Sequence, residues 1–317
     1  MRYRHKAMVY LGGLLTLAAV AAFFVGIYYS SKHKIPTPQT KAPALKQQPA
    51  KSQSLAYVFV IVDENQPYGN IIGNTTAPYI NSLANRYSLA TNYSSLSHPS
   101  LPNYMELTSG SNDGVTTDCN PPGAGCEVSA NNLADSVESS GRTWKAYAEG
   151  MPSSCYPYNS GNYATKHVPF LYYKDIVTNY SRCSAHVVPF TQLNADLSSV
   201  KTTPNFALIT PNLCDDMHDC SVATGDSWLA SNVSTILNSP AFTKSQALLV
   251  ITWDEGNATD NHVATILAGS AVKPGYRSAQ SYNTYSLLRT IESKWGLKPL
   301  TANDSQAPVM SEFFKSQ

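Results

Sequence analysis

Short apolar runs alternate with amphipathic segments along most of the chain. The apolar runs are rich in β-branched residues, which is typical of strands buried on both faces of a parallel sheet. The predicted strands cover residues 57–62, 143–147, 205–210, 247–253 and 263–269. Apolar residues recur at helical spacing in residues 77–87, 133–139, 228–237 and 284–295. This alternation predicts an α/β fold: a three-layer sandwich with a central, mainly parallel sheet.

One further helix is predicted to begin at a serine. In the segment SHPSLPNY, Ser100 precedes Pro102 in the first turn, and Gly110 closes the apolar segment that follows. The hydroxyl of Ser100 has two interpretations. It can cap the helix, or it can lie in the field of the free N–H groups, which hold an anion and favour an alkoxide. These residues taken alone favour the cap.

Acidic and amide side chains follow two of the apolar strands. Glu64 and Asn65 come after the first strand, and Asp254 and Glu255 come after the fourth. Because ligands of parallel sheets bind beyond the carboxyl ends of the strands, both pairs are expected at one edge. Either pair alone is typical of a solvated turn. Like charges buried together require protonation or a cation, so the two pairs with Ser100 predict a divalent metal site, suited to Ca, Mg or Mn.

Such a site could carry out phosphoryl chemistry. A metal ion at the Ser100 oxygen would lower the pKa of the hydroxyl and activate it as a nucleophile. Asn103, one helical turn further on, could donate to a phosphoryl oxygen or could be solvated on the helix surface. His98 precedes the helix and is equally consistent with a structural role. Candidates for phosphate contact or proton transfer are His167, His218 and His262.

The N-terminal residues have the composition of an export segment. Residues 1–30 contain an uncharged apolar run after three basic residues. At ~1.5 Å per residue the run can span a ~30 Å hydrocarbon core. Its poor cleavage site favours an uncleaved membrane anchor over a signal peptide. Residues 31–54 predict a flexible linker, and residues 55–317 predict one large domain. We therefore expect the domain at the extracellular face of the cell membrane, with secretion as the alternative.

Charge and cysteine content narrow the class of protein further. A net charge of +1 gives no excess of positive charge that would bind nucleic acid, so nucleic acid is not expected as a partner. An even number of cysteines after an export segment favours disulfides. The simplest connectivity is local: Cys119–Cys126, Cys155–Cys183 and Cys214–Cys220. A metal site formed by Cys214, His218 and Cys220 is the alternative, although its spacing matches no common zinc motif.

The motifs together resemble those of a known family. The chain is similar to the bacterial and fungal phosphoesterase family of acid phosphatases and phosphatidylcholine-type phospholipases C, in the alkaline phosphatase superfamily. It is most similar to the short secreted acid phosphatases. The matching segments follow the family's order: residues 63–68 (DENQPY), 97–104 with 108–110 (TSG), 166–170 (KHVPF), 211–219 (PNLCDDMHD), 225–228 (GDSW) and 253–256 (WDEG) with 261–263 (NHV).

The resemblance implies an alkaline-phosphatase-like fold and a role for each matching residue. The implied metal ligands are Glu64, Asn65, Ser100, Asp254 and Glu255. The residues implied around the phosphoryl group are Asn103, Lys166, His167 and His262, and those that shape the pocket are His98, His218 and Asp219. Ser100 would form a phosphoserine intermediate, and superfamily precedent adds Zn or Fe as possible metals. Asn261 stands where the family often has an aspartate before the histidine, which leaves the role of Asp260 open.

The leading prediction is a metal-dependent phosphomonoesterase that acts through Ser100. Its substrates would be small-molecule or lipid phosphate esters. Two alternatives stay open at this stage. One is a phospholipase C-type phosphodiesterase that acts on phospholipids, and the other is a non-catalytic surface-binding domain on a phosphatase scaffold.

Overall fold

The computed structural model describes residues 54–316 except residue 124. The predicted anchor of residues 1–30 and all but the last residue of the predicted linker lie outside the described residues. Within the described part of the chain, no helix combines the length and apolar character needed to cross a membrane.

A nine-stranded sheet forms the centre of the fold. Its strands are β1 (Tyr57–Asp63), β2 (Ser88–Ser94), β3 (Trp144–Ala148), β4 (Val187–Pro189), β5 (Phe206–Thr210), β6 (Ala247–Trp253), β7 (His262–Ala268), β8 (Arg277–Ser278) and β9 (Tyr282–Asn283). Their spatial order is β4-β3-β5-β1-β6-β7-β2-β8, and β9 also pairs with β2. Only β7 runs antiparallel to its neighbours β6 and β2. The predicted mainly parallel sheet is therefore confirmed.

Helices flank this sheet and complete an α/β sandwich. They are α1 (Tyr68–Ile71), α2 (Pro78–Arg86), α3 (Ser100–Ser109), α4 (Leu133–Ser139), α5 (Lys174–Val177), α6 (Tyr180–His186), α7 (Leu193–Asp196), α8 (Val222–Leu237), α9 (Pro240–Lys244), α10 (Thr284–Trp295) and α11 (Ala302–Gln306). Short 3₁₀ turns cover Thr165–His167, Pro169–Leu171, Phe190–Gln192 and Ser311–Phe313. Every residue of β1 and β6 is buried, as expected for strands covered on both faces.

The apolar pattern predicts the centre of the fold better than its margins. Strand β6 and helices α4 and α10 have the predicted bounds. Helix α8 begins six residues before the predicted start at Trp228, because the Ser221 side chain accepts a hydrogen bond from Thr224 N–H and caps a polar first turn. Strand β2 was not predicted, because its sequence, SLATNYS, carries polar residues on a partly exposed face.

All six cysteines form disulfides in the predicted local connectivity. The bridges are Cys119–Cys126, Cys155–Cys183 and Cys214–Cys220. The alternative metal site of Cys214, His218 and Cys220 is wrong, since both sulfur atoms are committed to one bridge.

The C-terminus of α3 leaves no room for a side chain, so a substitution there should destabilise the protein. Gly110 ends this helix with φ +78°, and an added Cβ would lie 2.7 Å from Asp304 Oδ1 and 2.9 Å from Thr301 Oγ1. Because the Thr301 hydroxyl also donates to the Gly110 carbonyl at 2.9 Å, it is not free to move away. Gly110→Ala should lower the free energy of unfolding by ~2–4 kcal/mol, measured by urea denaturation.

Gly296→Ala is the matched control for this substitution. Gly296 ends α10 with φ +67° and has open space around the added Cβ, so only the backbone strain of ~1 kcal/mol applies. Equal losses in the two variants would contradict the steric argument.

Candidate active site

The ends of β1 and β6 lie together at the carboxyl edge of the sheet, because these strands pair in parallel up to their last residues. The N–H of Asn65 donates to Asp254 Oδ1 at 3.2 Å. The N–H of Asp254 donates to the Asp63 carbonyl at 3.0 Å, and the N–H of Glu64 donates to the Asp216 carbonyl at 2.8 Å. The two acidic pairs that follow these strands in the sequence are therefore neighbours in space.

Ser100 is the first residue of α3 and points its hydroxyl at these acids. The N-cap is Pro99, which makes no side-chain capping hydrogen bond. The hydroxyl of Ser100, which is almost fully buried, donates instead to Glu64 Oε2 at 3.0 Å. The N-cap interpretation of Ser100 is therefore wrong. The position at the helix N-terminus, where an anion is stabilised, is retained.

The turn before Ser100 is held by two side chains from the helix that follows it. Asn103 Oδ1 accepts from the N–H groups of Leu96 at 3.2 Å and Ser97 at 2.9 Å, and Asn103 Nδ2 donates to the Ser97 carbonyl at 2.8 Å. Glu106 accepts from the Ser97 hydroxyl at 2.7 Å. Both ends of the Asn103 amide contact the backbone in this structure, and the phosphoryl contact predicted for Asn103 stays a prediction. Asn103 positions the turn that presents Ser100.

Two buried oxygen atoms in the site have no hydrogen-bond partner among the described residues. They are Asn65 Oδ1 and Asp254 Oδ2. Burial, followed by the charge of Glu255, raises the pKa of Asp254 to about 7. Burial, followed by the charge of Asp118, raises the pKa of Glu255 to about 7. A buried acceptor without a partner is unfavourable by ~1–3 kcal/mol. A hard divalent cation would satisfy both atoms and balance the neighbouring carboxylates, so this donor set fits the predicted metal.

His167 lies between two carboxyl groups. Its Nε2 is 3.3 Å from Glu64 Oε1, and its Nδ1 is 3.3 Å from Asp216 Oδ2. Its ring stacks on Tyr104, whose hydroxyl donates a short hydrogen bond to Glu64. Burial, reinforced by the charge of Lys166, lowers the pKa of His167 well below its ordinary value. The structure thus places a neutral His167 within the site, enclosed by acids.

Lys166 begins a chain of polar contacts beside the start of α3. Its Nζ is 3.0 Å from Asp118 Oδ2 and 3.4 Å from His218 Nε2. Asp118 Oδ1 also accepts from the N–H of Leu101 at 3.0 Å, which ties this chain to the helix. His218 Nδ1 lies 2.6 Å from Asp219 Oδ1. The structure therefore brings three of the predicted residues together, linked to α3 by an aspartate that was not predicted.

His98 lies at the mouth of the site. Its Nδ1 is 2.5 Å from Glu255 Oε2, and its side chain is 39% exposed. Together with Asn65 and Gly256, His98 borders an open cavity of about 500 Å³. The predicted pocket position of His98 therefore has a geometric basis.

His262 lies at the start of β7 and makes two contacts of its own. Its ring stacks on Tyr68, with 4.4 Å between ring centroids, and its Nε2 lies 3.0 Å from the Thr91 carbonyl. Antiparallel pairing of β7 with β2 sets His262 opposite Ser94. The phosphoryl contact predicted for His262 stays a prediction. Asp260 accepts from the N–H of His262 at 2.8 Å and so closes the turn before β7.

Four residues near the site were given no role by the sequence. They are Asp63, Tyr104, Asp118 and Asp216. Asp63, Tyr104 and Asp216 fall inside matching motifs, so a role for them could have been predicted. Asp118 and Asp216 lie in loops next to or within disulfide bridges, and the path of such loops cannot be read from apolar periodicity. Burial raises the pKa of Asp216 to about 8.

Residues 70–298 match the model of the Phosphoesterase family. The chain therefore belongs to this family, and the predicted resemblance is confirmed. A phosphatidylinositol-3-phosphatase of Mycobacterium tuberculosis (strain ATCC 25618 / H37Rv) is 33% identical to it, over 82% of this chain and 83% of the relative. An acid phosphatase of Aspergillus fumigatus is 30% identical over 72% of this chain, which spans 53% of that relative.

Solved structures confirm the class of fold. A protein of the alkaline phosphatase superfamily from Vibrio parahaemolyticus superposes with a TM-score of 0.57 at 13% identity, over 91% of this chain and 79% of that one. A phosphonate monoester hydrolase of Agrobacterium radiobacter gives 0.51 at 13% identity, over 82% and 77%. At this identity the similarity concerns the fold alone. With the family membership, the prediction of a hydrolase that acts on phosphoric esters is confirmed.

Glu106, which holds the turn before Ser100, generates a prediction about pH. Burial raises the pKa of Glu106 from 4.5 to about 7. A raised folded-state pKa means that its contribution to stability is complete below about pH 4.5 and is lost as the pH rises through about 7. Glu106→Gln should remove up to ~3 kcal/mol of pH dependence from the free energy of unfolding in this window. Urea denaturation across the window measures it.

Glu127→Gln serves as the control, since it removes the same charge from a half-buried position outside the turn before Ser100. A Glu106→Gln profile parallel to that of the wild type would show that Glu106 ionises normally in the folded protein.

Proposed function

We propose that the protein is a metal-dependent phosphomonoesterase of the acid phosphatase type, which acts through a phosphoserine on Ser100. The observation that carries this proposal is the hydrogen bond from Ser100 to Glu64 at 3.0 Å, beside two buried oxygen atoms, Asn65 Oδ1 and Asp254 Oδ2, that lack partners among the described residues. A serine hydroxyl at a helix N-terminus, next to a set of donors suited to a cation, is the arrangement that phosphoryl transfer requires.

The residues that would hold the metal are the predicted five: Glu64, Asn65, Ser100, Asp254 and Glu255. All of their donors are oxygen atoms, which suits Ca, Mg or Mn, while Zn and Fe remain possible. A bound divalent ion supplies a positive charge that favours the serine alkoxide and neutralises a phosphoryl oxygen.

The reaction divides into two displacements at phosphorus. The Ser100 Oγ–H donates to Glu64, and its proton passes by way of Glu64 to solvent as Oγ bonds to phosphorus. The bond between phosphorus and the ester oxygen breaks, and the alcohol leaves with a proton taken from solvent. Water then attacks the phosphoserine, the Oγ–phosphorus bond breaks, the water's proton restores the Ser100 hydroxyl, and inorganic phosphate leaves. Asn103 and Glu106 keep the turn before Ser100 in place throughout, which maintains the orientation of the nucleophile.

Lys166 and the exposed histidines are proposed to contact the substrate. Lys166 is linked to the start of α3 through Asp118, and this pairing fixes its direction. His98 borders the open cavity beside Glu255, where the organic part of an ester would lie. His218 and Asp219 contact each other beside Lys166, and we assign them to the pocket on that side.

The names of the relatives favour a monoester as substrate. They include a phosphatidylinositol-3-phosphatase and an acid phosphatase, both of which release phosphate by name. We propose lipid or small-molecule phosphate monoesters as the substrate class. The predicted membrane tether would place the domain at a lipid surface, and this tether lies outside the described residues. Family membership favours an enzyme over the non-catalytic alternative.

Ser100→Ala tests the nucleophile. With p-nitrophenyl phosphate, kcat should fall by about 10³-fold or more, because no other hydroxyl occupies this helix start. A chelator should abolish wild-type turnover, and a divalent metal should restore it. Ser231→Ala, on the exposed face of α8, is the control and should keep full activity. Turnover by Ser100→Ala at the wild-type rate would contradict the mechanism.

The products distinguish a monoesterase from a phospholipase C. A phosphatidylinositol monophosphate should yield inorganic phosphate and leave its diester linkage intact. The reason is that a monoesterase releases the terminal phosphate, which is joined to the inositol by a single ester bond. Phosphate assay and lipid chromatography measure the two products. Diacylglycerol without inorganic phosphate would support the phosphodiesterase instead.

A further inference from the structure

The turn between β6 and β7, residues 257–260, borders the open cavity of about 500 Å³. Asn257 and Ala258 from this turn line the cavity, and both residues are exposed. The cavity also reaches Asn65 and Glu255, two of the proposed metal ligands. An ester whose phosphoryl group lies at these ligands would therefore have its alcohol beside the turn.

Backbone hydrogen bonds hold this turn in one shape. The Asn257 N–H donates to the Asp260 carbonyl at 2.9 Å, and the Asp260 N–H donates to the Asn257 carbonyl at 3.1 Å. An added Cβ on Gly256 would overlap the Asp260 carbonyl oxygen, so the turn packs directly against the backbone that precedes it. Since the turn is already ordered by its own contacts, a ligand that touches it has little ordering cost to offset.

The Asn257 side chain is held at its acceptor end. Its Oδ1 accepts from the Thr259 N–H at 3.0 Å and from the Thr259 hydroxyl at 2.9 Å. A backbone N–H can only donate, which fixes the amide with Oδ1 toward Thr259. Because Asn257 is exposed, the two donors on its Nδ2 at the other end of the amide remain available to a ligand.

The lining of the cavity favours an alcohol that carries hydroxyl groups. The apolar side chains among its described lining residues are those of Pro99 and Ala258, and both are small. Its polar side chains are those of Asn65, His98, Glu255 and Asn257. Hydroxyl groups would find hydrogen-bond partners here, whereas an acyl chain would find little apolar surface. The volume is of the order found in small-molecule pockets, which is large enough for a six-membered ring.

We propose that Asn257 determines specificity and that the site takes phosphate monoesters of compact polyols. The Nδ2 group of Asn257 donates to a hydroxyl of the alcohol, and the small side chain of Ala258 leaves room for the ring. This inference rests on the proposed function, because it requires the phosphoryl group to lie at Ser100. A soluble sugar phosphate and the inositol headgroup of a phospholipid both present this chemistry.

Two substrates that differ only in their hydroxyl groups test Asn257. myo-Inositol 1-phosphate and cyclohexyl phosphate share a six-membered ring, and the readout is the ratio of their kcat/KM values. Wild type should prefer the inositol ester, and Asn257→Ser should lower the ratio by about 3–10-fold, as expected for one neutral hydrogen bond. Serine retains an acceptor for the Thr259 N–H and so keeps the turn. General damage to the phosphoryl site would lower both rates together and leave the ratio unchanged.

Asn131→Ser is the matched control, because Asn131 is exposed and lines a separate open cavity. Its ratio should equal that of the wild type. Ala258→Trp is a second variant, which fills the space beside the turn. Its kcat/KM with inositol 1-phosphate should fall at least about 10-fold further than its kcat/KM with methyl phosphate. Circular dichroism confirms that each variant is folded.

Vesicles that contain phosphatidylinositol 3-phosphate separate the two sources of the polyol. A higher kcat/KM with these vesicles than with soluble inositol 1-phosphate would assign the lipid headgroup. A higher kcat/KM with the soluble ester would assign free polyol phosphates. Either result agrees with recognition of the hydroxyl groups, provided that Asn257→Ser lowers the preferred rate.

An unchanged ratio in Asn257→Ser, or a fall of equal size in Asn131→Ser, would overturn the role of Asn257. Equal losses with methyl phosphate and inositol 1-phosphate in Ala258→Trp would show that the alcohol does not lie beside the turn. Both results would leave the proposed function intact, because wild-type turnover persists. Absence of hydrolysis in the wild type would instead overturn the proposed function, and calorimetry would then give the same ratio from the Kd values of the two esters.

Discussion

Repulsion between carboxyl groups buried at the carboxyl edge of the sheet is the constraint on which the rest of this structure depends. The parallel pairing of β1 with β6 brings Glu64 and Asp254 together, and the backbone contact between Glu64 and Asp216 adds a third acid. A fold with no function would not collect acids where water is excluded, because each raises the others' pKa and weakens the folded state. The arrangement becomes favourable only when the acids are protonated or a cation is bound, which is why the proposed nucleophile and the proposed cation are explained together.

The irregular segments around these acids are fixed by covalent and polar restraints instead of regular structure. The Cys119–Cys126 bridge directly follows Asp118, which contacts both Lys166 and α3. The Cys214–Cys220 bridge encloses Asp216. A disulfide reduces the freedom of the loop in the unfolded chain, so these loops reach the site at a smaller entropic cost. The bridges therefore position polar residues that neither a helix nor a strand holds.

The sequence predicts those parts of the site that follow directly from secondary structure. Glu64 and Asp254 are predictable because each follows a continuous apolar strand, and the carboxyl ends of parallel strands share one edge. Ser100 is predictable because proline and glycine mark the bounds of α3. Asp118 is not, since its place depends on a loop whose path no periodicity encodes. Helical spacing places Asn103 one turn from Ser100 and predicts a phosphate contact, but it does not show that the preceding turn folds back and contacts its amide.

The buried centre of the candidate active site and its exposed rim have different proposed roles. In the proposed mechanism, Ser100, Glu64 and the acids around them contact the phosphoryl group, which is the same in every phosphate ester. The fold does not select the rest of the substrate, since proteins of different activity share it. Selection therefore falls to side chains that reach solvent around the cavity of about 500 Å³. His98 is the residue best placed for this, because it contacts Glu255 at its inner end while its side chain is 39% exposed. A change of substrate within this architecture requires changes at the rim, while the acids beneath must stay as they are to hold the charge.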